Sequence, residues 1–361
     1  MRHKLFFAFL CSFMLLRGCE KEPDTNGGIF SGGSGGQDAW SIPLDEIFDG
    51  GPGKDGIPAL TEPEFIPAAS ADYLNDDDLV LGFVHGDEVR AYPHDILDWH
   101  EIINDQVGDV SISVTYCPLT GTGIGWDRKI DGEVSTFGVS GLLYNSNLIP
   151  YDRKTGSNWS QMRLDCVNGE LKGSEAETYS LIETTWLTWK EMYPSSTVVS
   201  QNTGYNRAYG RYPYGNYRTD NDYLIFPVAN EDNRIPNKER VLGIVQGGKV
   251  QVYRFSSLSN SLTVINDRLM DTNVVIAGDK EDNFMVAFIN EAGDGSTHSF
   301  SAVQGMYPVV MTDEEGNMWD VSGRAVDGPR KDARLSPATS FMGYWFSFAA
   351  FYPDLTIYGS S

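Results

Sequence analysis

The chain has 361 residues, 41% of them hydrophobic, with 50 acidic against 27 basic side chains and a formal net charge of −23. That length accommodates two domains or one large one. The charge repels phosphate backbones and anionic headgroups, which excludes nucleic acid as a partner.

The N-terminus reads as a targeting segment. Arg2, His3 and Lys4 precede an apolar run from Leu5 to Leu16 that is short for a membrane span, and Leu15-Leu16-Arg17-Gly18-Cys19 resembles a bacterial lipobox, with Arg17 an unusual occupant. Residues 1–18 are therefore expected to be a signal peptide and Cys19 the lipid-bearing first residue of a mature protein in the bacterial cell envelope, periplasmic or outer-membrane surface-exposed. The alternative is a plain secretory signal. Residues 19–39 are polar and Gly/Ser-rich, a flexible tether. Once Cys11 leaves with the signal and Cys19 is acylated, Cys117 and Cys166 remain, and two cysteines in an oxidising compartment can pair.

Further along, Gly50 to Pro58 reads as an extended lead-in and Asn75-Asp76-Asp77-Asp78 as a solvated turn. A short helix is expected over 94–103, where Ile96, His100 and Ile103 share a face, with His94 turned elsewhere and His85 on the surface. Val110 to Cys117 alternates as a half-buried strand, with Cys117 on the face of Ser111, Ser113 and Thr115. Pro118 cannot donate to a ladder, so pairing should stop where the thiol is presented. Asp131-Gly132 signals a hairpin turn between 124–129 and 133–139. Asp152 to Gln161 is a polar turn that either lines a site or closes over a buried Trp159.

The chain then repeats itself. Val80-Leu81-Gly82-Phe83-Val84 recurs as Val241-Leu242-Gly243-Ile244-Val245, Ile102-Ile103-Asn104-Asp105 as Val264-Ile265-Asn266-Asp267, and the Trp186 to Pro194 block as Trp345 to Pro353. The expectation is an α+β fold: two related, mostly antiparallel β-rich units over 40–200 and 240–361, joined by the connector 201–239, with short helices near 94–103, 181–192 and 338–351. Cys117 and His100 have no counterpart in the second copy, opposite Gly278 or Asp279 and Ser261 or Leu262. The second copy is thus expected to fold without them, which marks them as site residues.

Three readings of that site stay open. Cys117, His100 and Glu101 could hold a thiophilic metal, copper or zinc, or a small-molecule ligand. The same residues could serve a thiol enzyme, with Cys117 as nucleophile, His100 as base and Glu101 as orienting group. Or His100 is a core histidine bonded to backbone and the protein is a structural or partner-binding surface lipoprotein. Asn104, Asp105, Thr120, Thr122, Ser140, Asp152, Ser157 and Gln161 are expected to line the site.

Several of these blocks together resemble the bacterial and archaeal domain-of-unknown-function family 3179. They are Asp55-Gly56-Ile57-Pro58-Ala59-Leu60, Ala91-Tyr92-Pro93 with Trp99-His100-Glu101-Ile102, Thr115-Tyr116-Cys117-Pro118-Leu119-Thr120-Gly121-Thr122, Phe137-Gly138-Val139-Ser140-Gly141-Leu142, and Asp152 to Gln161. The likeness runs over roughly residues 40–361. It implies no activity, but its His-Glu and Tyr-Cys-Pro-Leu elements fall on His100, Glu101 and Cys117.

Overall fold

Antiparallel strands carry most of the chain in the computed structural model, which describes residues 39–291 and 295–360. The expected signal peptide, Cys19 and the tether up to residue 38 lie outside the described residues. The fold is α+β. Among the described residues its α-helices are α1 (His94–His100), α2 (Trp186–Met192) and α3 (Trp345–Phe351), and none is long and apolar enough to cross a membrane.

All three helices are shorter than expected. The first ends at His100 because Glu101 turns into the left-handed region at φ 57° and the chain continues as strand Ile102–Val107. The segments leading into the other two are extended instead: Ile182–Thr185, rich in β-branched residues, pairs with Leu79–His85, and Ser340–Tyr344 pairs with Arg240–Gln246. Thr185 caps α2 by accepting a hydrogen bond from the Thr188 N–H.

Two sheets carry α2 and α3 on similar connections. In one, Leu79–His85 and Glu88–Pro93 form a hairpin, flanked by Ile182–Thr185 and by Thr197–Val199, which runs parallel to Glu88–Pro93. In the other, Arg240–Gln246 and Lys249–Arg254 are flanked by Ser340–Tyr344 and a parallel Thr356–Ile357. Glycine lets each helix press onto its sheet: a Cβ on Gly82 would lie 1.9 Å from the Trp189 ring, and one on Gly243 2.1 Å from Phe348. Further antiparallel ladders complete the fold, among them Ile102–Val107, Val110–Cys117 and Thr122–Asp127, and Thr263–Leu269, Thr272–Asp279 and Phe284–Ile289. At the expected hairpin Asp131 and Gly132 both have positive φ, as the tight two-residue turn requires.

The cores are shared along the chain. Trp186 and Trp189 belong to one cluster with Phe284, Phe288 and Trp319, and Trp345 and Phe348 to another with Trp126, Phe137 and Trp159. Each fully buried Phe contributes roughly 1.5–3 kcal/mol by leaving water, so this cross-packing ties the two parts of the chain together. It also corrects the reading of Val110–Cys117 as half-buried. Ile112, Val114 and Tyr116 face one apolar cluster, and Ser113, Thr115 and Cys117 are equally buried on the other side. Pairing does stop at Cys117, opposite Thr122. Cys117 and Cys166 are both free thiols.

Paired small motifs fix the ladders. Asn104 accepts from the Phe137 N–H at 2.8 Å and donates to its carbonyl at 2.9 Å, and Asn266 does the same to Phe300 at 2.9 Å each. Asp152 accepts from the Trp159 indole at 3.0 Å, and Asp313 from Trp319 at 2.9 Å. Tyr92 donates to Asp105 at 2.7 Å, and Tyr253 to Asp267 at 2.8 Å.

Candidate functional site

His100 and Cys117 are neighbours in register but not in chemistry. The His100 Nδ1–H donates to the Pro58 carbonyl at 2.7 Å, so Nε2 is left to accept from the Tyr209 hydroxyl at 2.6 Å. Both nitrogens of this buried ring are engaged, and burial lowers its pKa. The Cys117 thiol donates to the Ser146 carbonyl at 3.6 Å. Burial, with the charge of nearby Glu101, pushes its pKa up to about 11. That is the opposite of an activated thiolate. Glu101 lies within electrostatic range of Cys117 and Asp98, and burial raises its own pKa to about 8.

The other expected lining residues fall into separate places. Thr120, Thr122 and Gln161 do come together, in a buried network with Thr115 and Asn147. The Asn147 amide reaches all three at 2.7–3.1 Å, and Gln161 Nε2 donates to Thr115 at 2.9 Å. Such a network is internally satisfied and fixes the strands. Asn104 clamps Phe137, and Asp105 takes Arg90 at 2.6 Å as well as Tyr92. Ser140 bonds the Ile149 carbonyl where the ladder bulges. Asp152 and Ser157 close the turn over Trp159 through Thr155, at 2.7 Å to the Thr155 N–H and 2.7 Å between hydroxyls. Among the described residues no group of three or more His, Cys, Asp or Glu side chains is gathered for a metal ion.

The Tyr116 to Gly121 segment instead builds a wall of a cleft of about 320 Å³. Tyr116 lines it directly. The Pro118 carbonyl accepts from the Tyr212 hydroxyl at 3.0 Å, and the Thr120 carbonyl accepts from the Tyr344 N–H at 2.8 Å. Gly121, at φ 63°, lies where a Cβ would be 3.0 Å from the Tyr344 ring and 3.2 Å from the Arg240 guanidinium. The loop after Cys117 therefore positions the two second-half residues that complete the cleft. The lining also includes His94 and Asp95 from α1 and Arg218 from the connector.

Charge is concentrated there. Arg240 Nη2 donates to buried Glu183, while its Nε has no hydrogen-bond partner. His94 Nε2 stands 3.4 Å from the other Glu183 oxygen, too poorly aligned for a hydrogen bond, and its ring packs on Tyr116 at 4.4 Å. Burial opposes ionisation of Glu183, but Arg240 and His94 outweigh it and hold the carboxyl below its ordinary range. Burial lowers the His94 pKa. Asp98, on α1, has a buried oxygen without a partner and a pKa pushed to about 8 by burial, against the pull of Arg218. It lies within electrostatic range of Tyr116, Tyr344 and Glu101. Lys238 also lines the cleft. It donates to the Tyr223 carbonyl at 3.0 Å and lies 3.3 Å from the Tyr217 ring centre, and burial lowers its pKa to about 7. A larger groove of about 760 Å³ runs along the 221–237 segment, but none of its walls presents a buried unpartnered polar atom.

Sequence reasoning missed Tyr116, His94, Asp98, Arg218, Lys238, Arg240 and Tyr344. One signal was there: Arg240 opens a strand where the similar block around Val80-Leu81-Gly82 opens with Leu79. A family model described as a protein of unknown function (DUF3179) matches residues 54–355. No curated protein and no solved structure matches the chain.

Proposed function

Because the chain belongs to the DUF3179 family, an uncharacterised domain, we propose its function from the cleft: an extracytoplasmic lipoprotein, acylated at Cys19, that binds a small ligand among Tyr116, His94, Arg218, Arg240 and Tyr344. One observation carries this. Arg218 and Asp95 both line the cleft, and neither makes a hydrogen bond or ion pair within the described chain. A hydrogen bond to a charged group contributes about 1.5–3 kcal/mol, and a ligand that supplies the missing partners gains it. The volume lies at the small end of small-molecule sites, which run roughly 300–1,000 Å³.

In this reading the protein arose from two related β-rich units, and the cleft formed where they meet. The equivalent sheets, the Gly82–Trp189 and Gly243–Phe348 contacts, and the twin Asn, Asp–Trp and Tyr–Asp motifs support that history. Copper or zinc on Cys117, His100 and Glu101 has weaker support, because both His100 nitrogens are already engaged. Thiol catalysis has weaker support still, because Cys117 is buried with a raised pKa. Within this account the Cys117 loop is a positioning element for Arg240 and Tyr344.

The test is retention of a small molecule. The full chain, equilibrated with a metabolite extract and dialysed, should hold one compound detectable by mass spectrometry, and an Arg218→Glu, Tyr344→Ala variant should not. Equal retention by both, or none by the wild type, would remove the cleft as the site.

A further inference from the structure

The lining of the cleft carries both signs of charge. The Arg218 guanidinium makes no hydrogen bond or ion pair within the described chain; its one ring contact is Tyr212 at 4.9 Å. The hydroxyls of Tyr116 and Tyr344, on the same lining, make no hydrogen bond within the described chain either. These are hydrogen-bond donors, and a guanidinium matches the two oxygens of a carboxylate. Asp95 presents a carboxylate that accepts no hydrogen bond within the described chain, with Asp77 and Asp78 on the same lining. Arg218 and Asp95, the two poles of the lining, are in electrostatic range of each other, so one small molecule can meet both.

The alternatives fit less well. A simple anion would meet Arg218 but also the rim carboxylates, and would approach a molecule of formal net charge −23. A simple cation would meet Asp95 but leave Arg218 unmatched and be repelled by it. A neutral sugar would satisfy hydroxyls but neither pole. A ligand carrying both charges matches both poles, and its zero net charge gives the acidic surface nothing to repel.

We propose that the ligand is a small zwitterion, an α-amino acid or short peptide, with its carboxylate on Arg218 and its ammonium on Asp95. The Tyr116, Tyr212 and Tyr344 rings form the walls for its side chain. The proposal rests on the cleft being the binding site and adds the class of its occupant.

The experiment is calorimetric titration of the full chain at neutral pH with the individual amino acids and with dialanine. Each binder is then compared with its N-acetyl derivative, which lacks the ammonium, and with its amide, which lacks the carboxylate. The expected result is binding by at least one zwitterion and a tenfold or greater loss with either derivative. Arg218→Ala should abolish the discrimination against the amide, and Asp95→Asn the discrimination against the N-acetyl form. Both side chains are at least partly exposed, so these variants should fold. Full affinity for the N-acetyl acid or for the amide would overturn the zwitterion. So would failure of every amino acid and dialanine while the metabolite experiment retains another compound, an outcome that leaves the cleft itself standing. Failure of both experiments would remove the cleft and the zwitterion together.

Discussion

At the residue scale a buried carboxyl on α1, the helix that brings His94 and Asp95 to the cleft, sets a pH response. Asp98 has its pKa raised to about 8 by burial. Its unfolded value is near ~3.9, so between those values the folded state holds a proton that the unfolded state has released. The stability contributed by that proton is complete below the unfolded pKa and is lost as pH rises toward the folded one. Asp98→Asn should therefore gain on the wild type as pH rises from 5 to 8, by up to about 1.4 kcal/mol per pH unit. Urea unfolding of both proteins at several pH values measures this, and parallel curves would contradict it. Cys117 gives a second test. With its pKa near 11 and its sulfur buried, it holds roughly two hundredfold less thiolate at pH 8 than a free cysteine titrating near 8.5. Native protein should alkylate with iodoacetamide correspondingly slowly, and labelling at the free-cysteine rate would revive the thiol enzyme.

At the element scale the ladders depend on buried side chains that replace missing backbone partners. Asn104 is fully buried and holds both the N–H and the carbonyl of Phe137. Asn104→Leu leaves both groups unpaired and should cost about 2–5 kcal/mol. Asn266→Leu, at the exposed equivalent clamp, should cost less. Equal losses by chemical denaturation would show that burial does not set the difference.

Much of this level was legible in sequence. The repeated blocks located the paired strands, Asp131-Gly132 located the hairpin, and the turn before Trp159 did close over that indole. The helices were overextended because Ile182-Glu183-Thr184-Thr185 has no periodicity of its own and is strand only through pairing with Leu79–His85. Val110–Cys117 misled for a related reason. Its Ser and Thr residues resemble a solvent face, yet all three are buried, and Thr115 is held by Gln161, distant in sequence.

At the scale of the whole molecule the cleft was illegible because no local segment contains it. Its residues come from α1, from the end of Val110–Cys117, from the connector and from two strands beyond it. The sequence does contain the loop that assembles them. In the family-like Tyr-Cys-Pro-Leu-Thr-Gly run, Tyr116 lines the cleft and Gly121 sits against Tyr344 and Arg240, while the Cys117 thiol is turned to the Ser146 carbonyl. The cross-packed cores join the elements that carry this composite site, since the aromatic residues that fix α2 and α3 come from both parts of the chain. The acidic surface and the expected lipid at Cys19 fit a protein that presents this cleft from a membrane.

The most direct measurement is saturation-transfer NMR of a fragment set spanning cationic, neutral, anionic and zwitterionic molecules, on the full chain and on Arg218→Glu. The account predicts saturation transfer to specific fragments that disappears in the variant while the protein keeps its fold. Transfer of equal strength in both proteins would place binding elsewhere and contradict the cleft as the functional site.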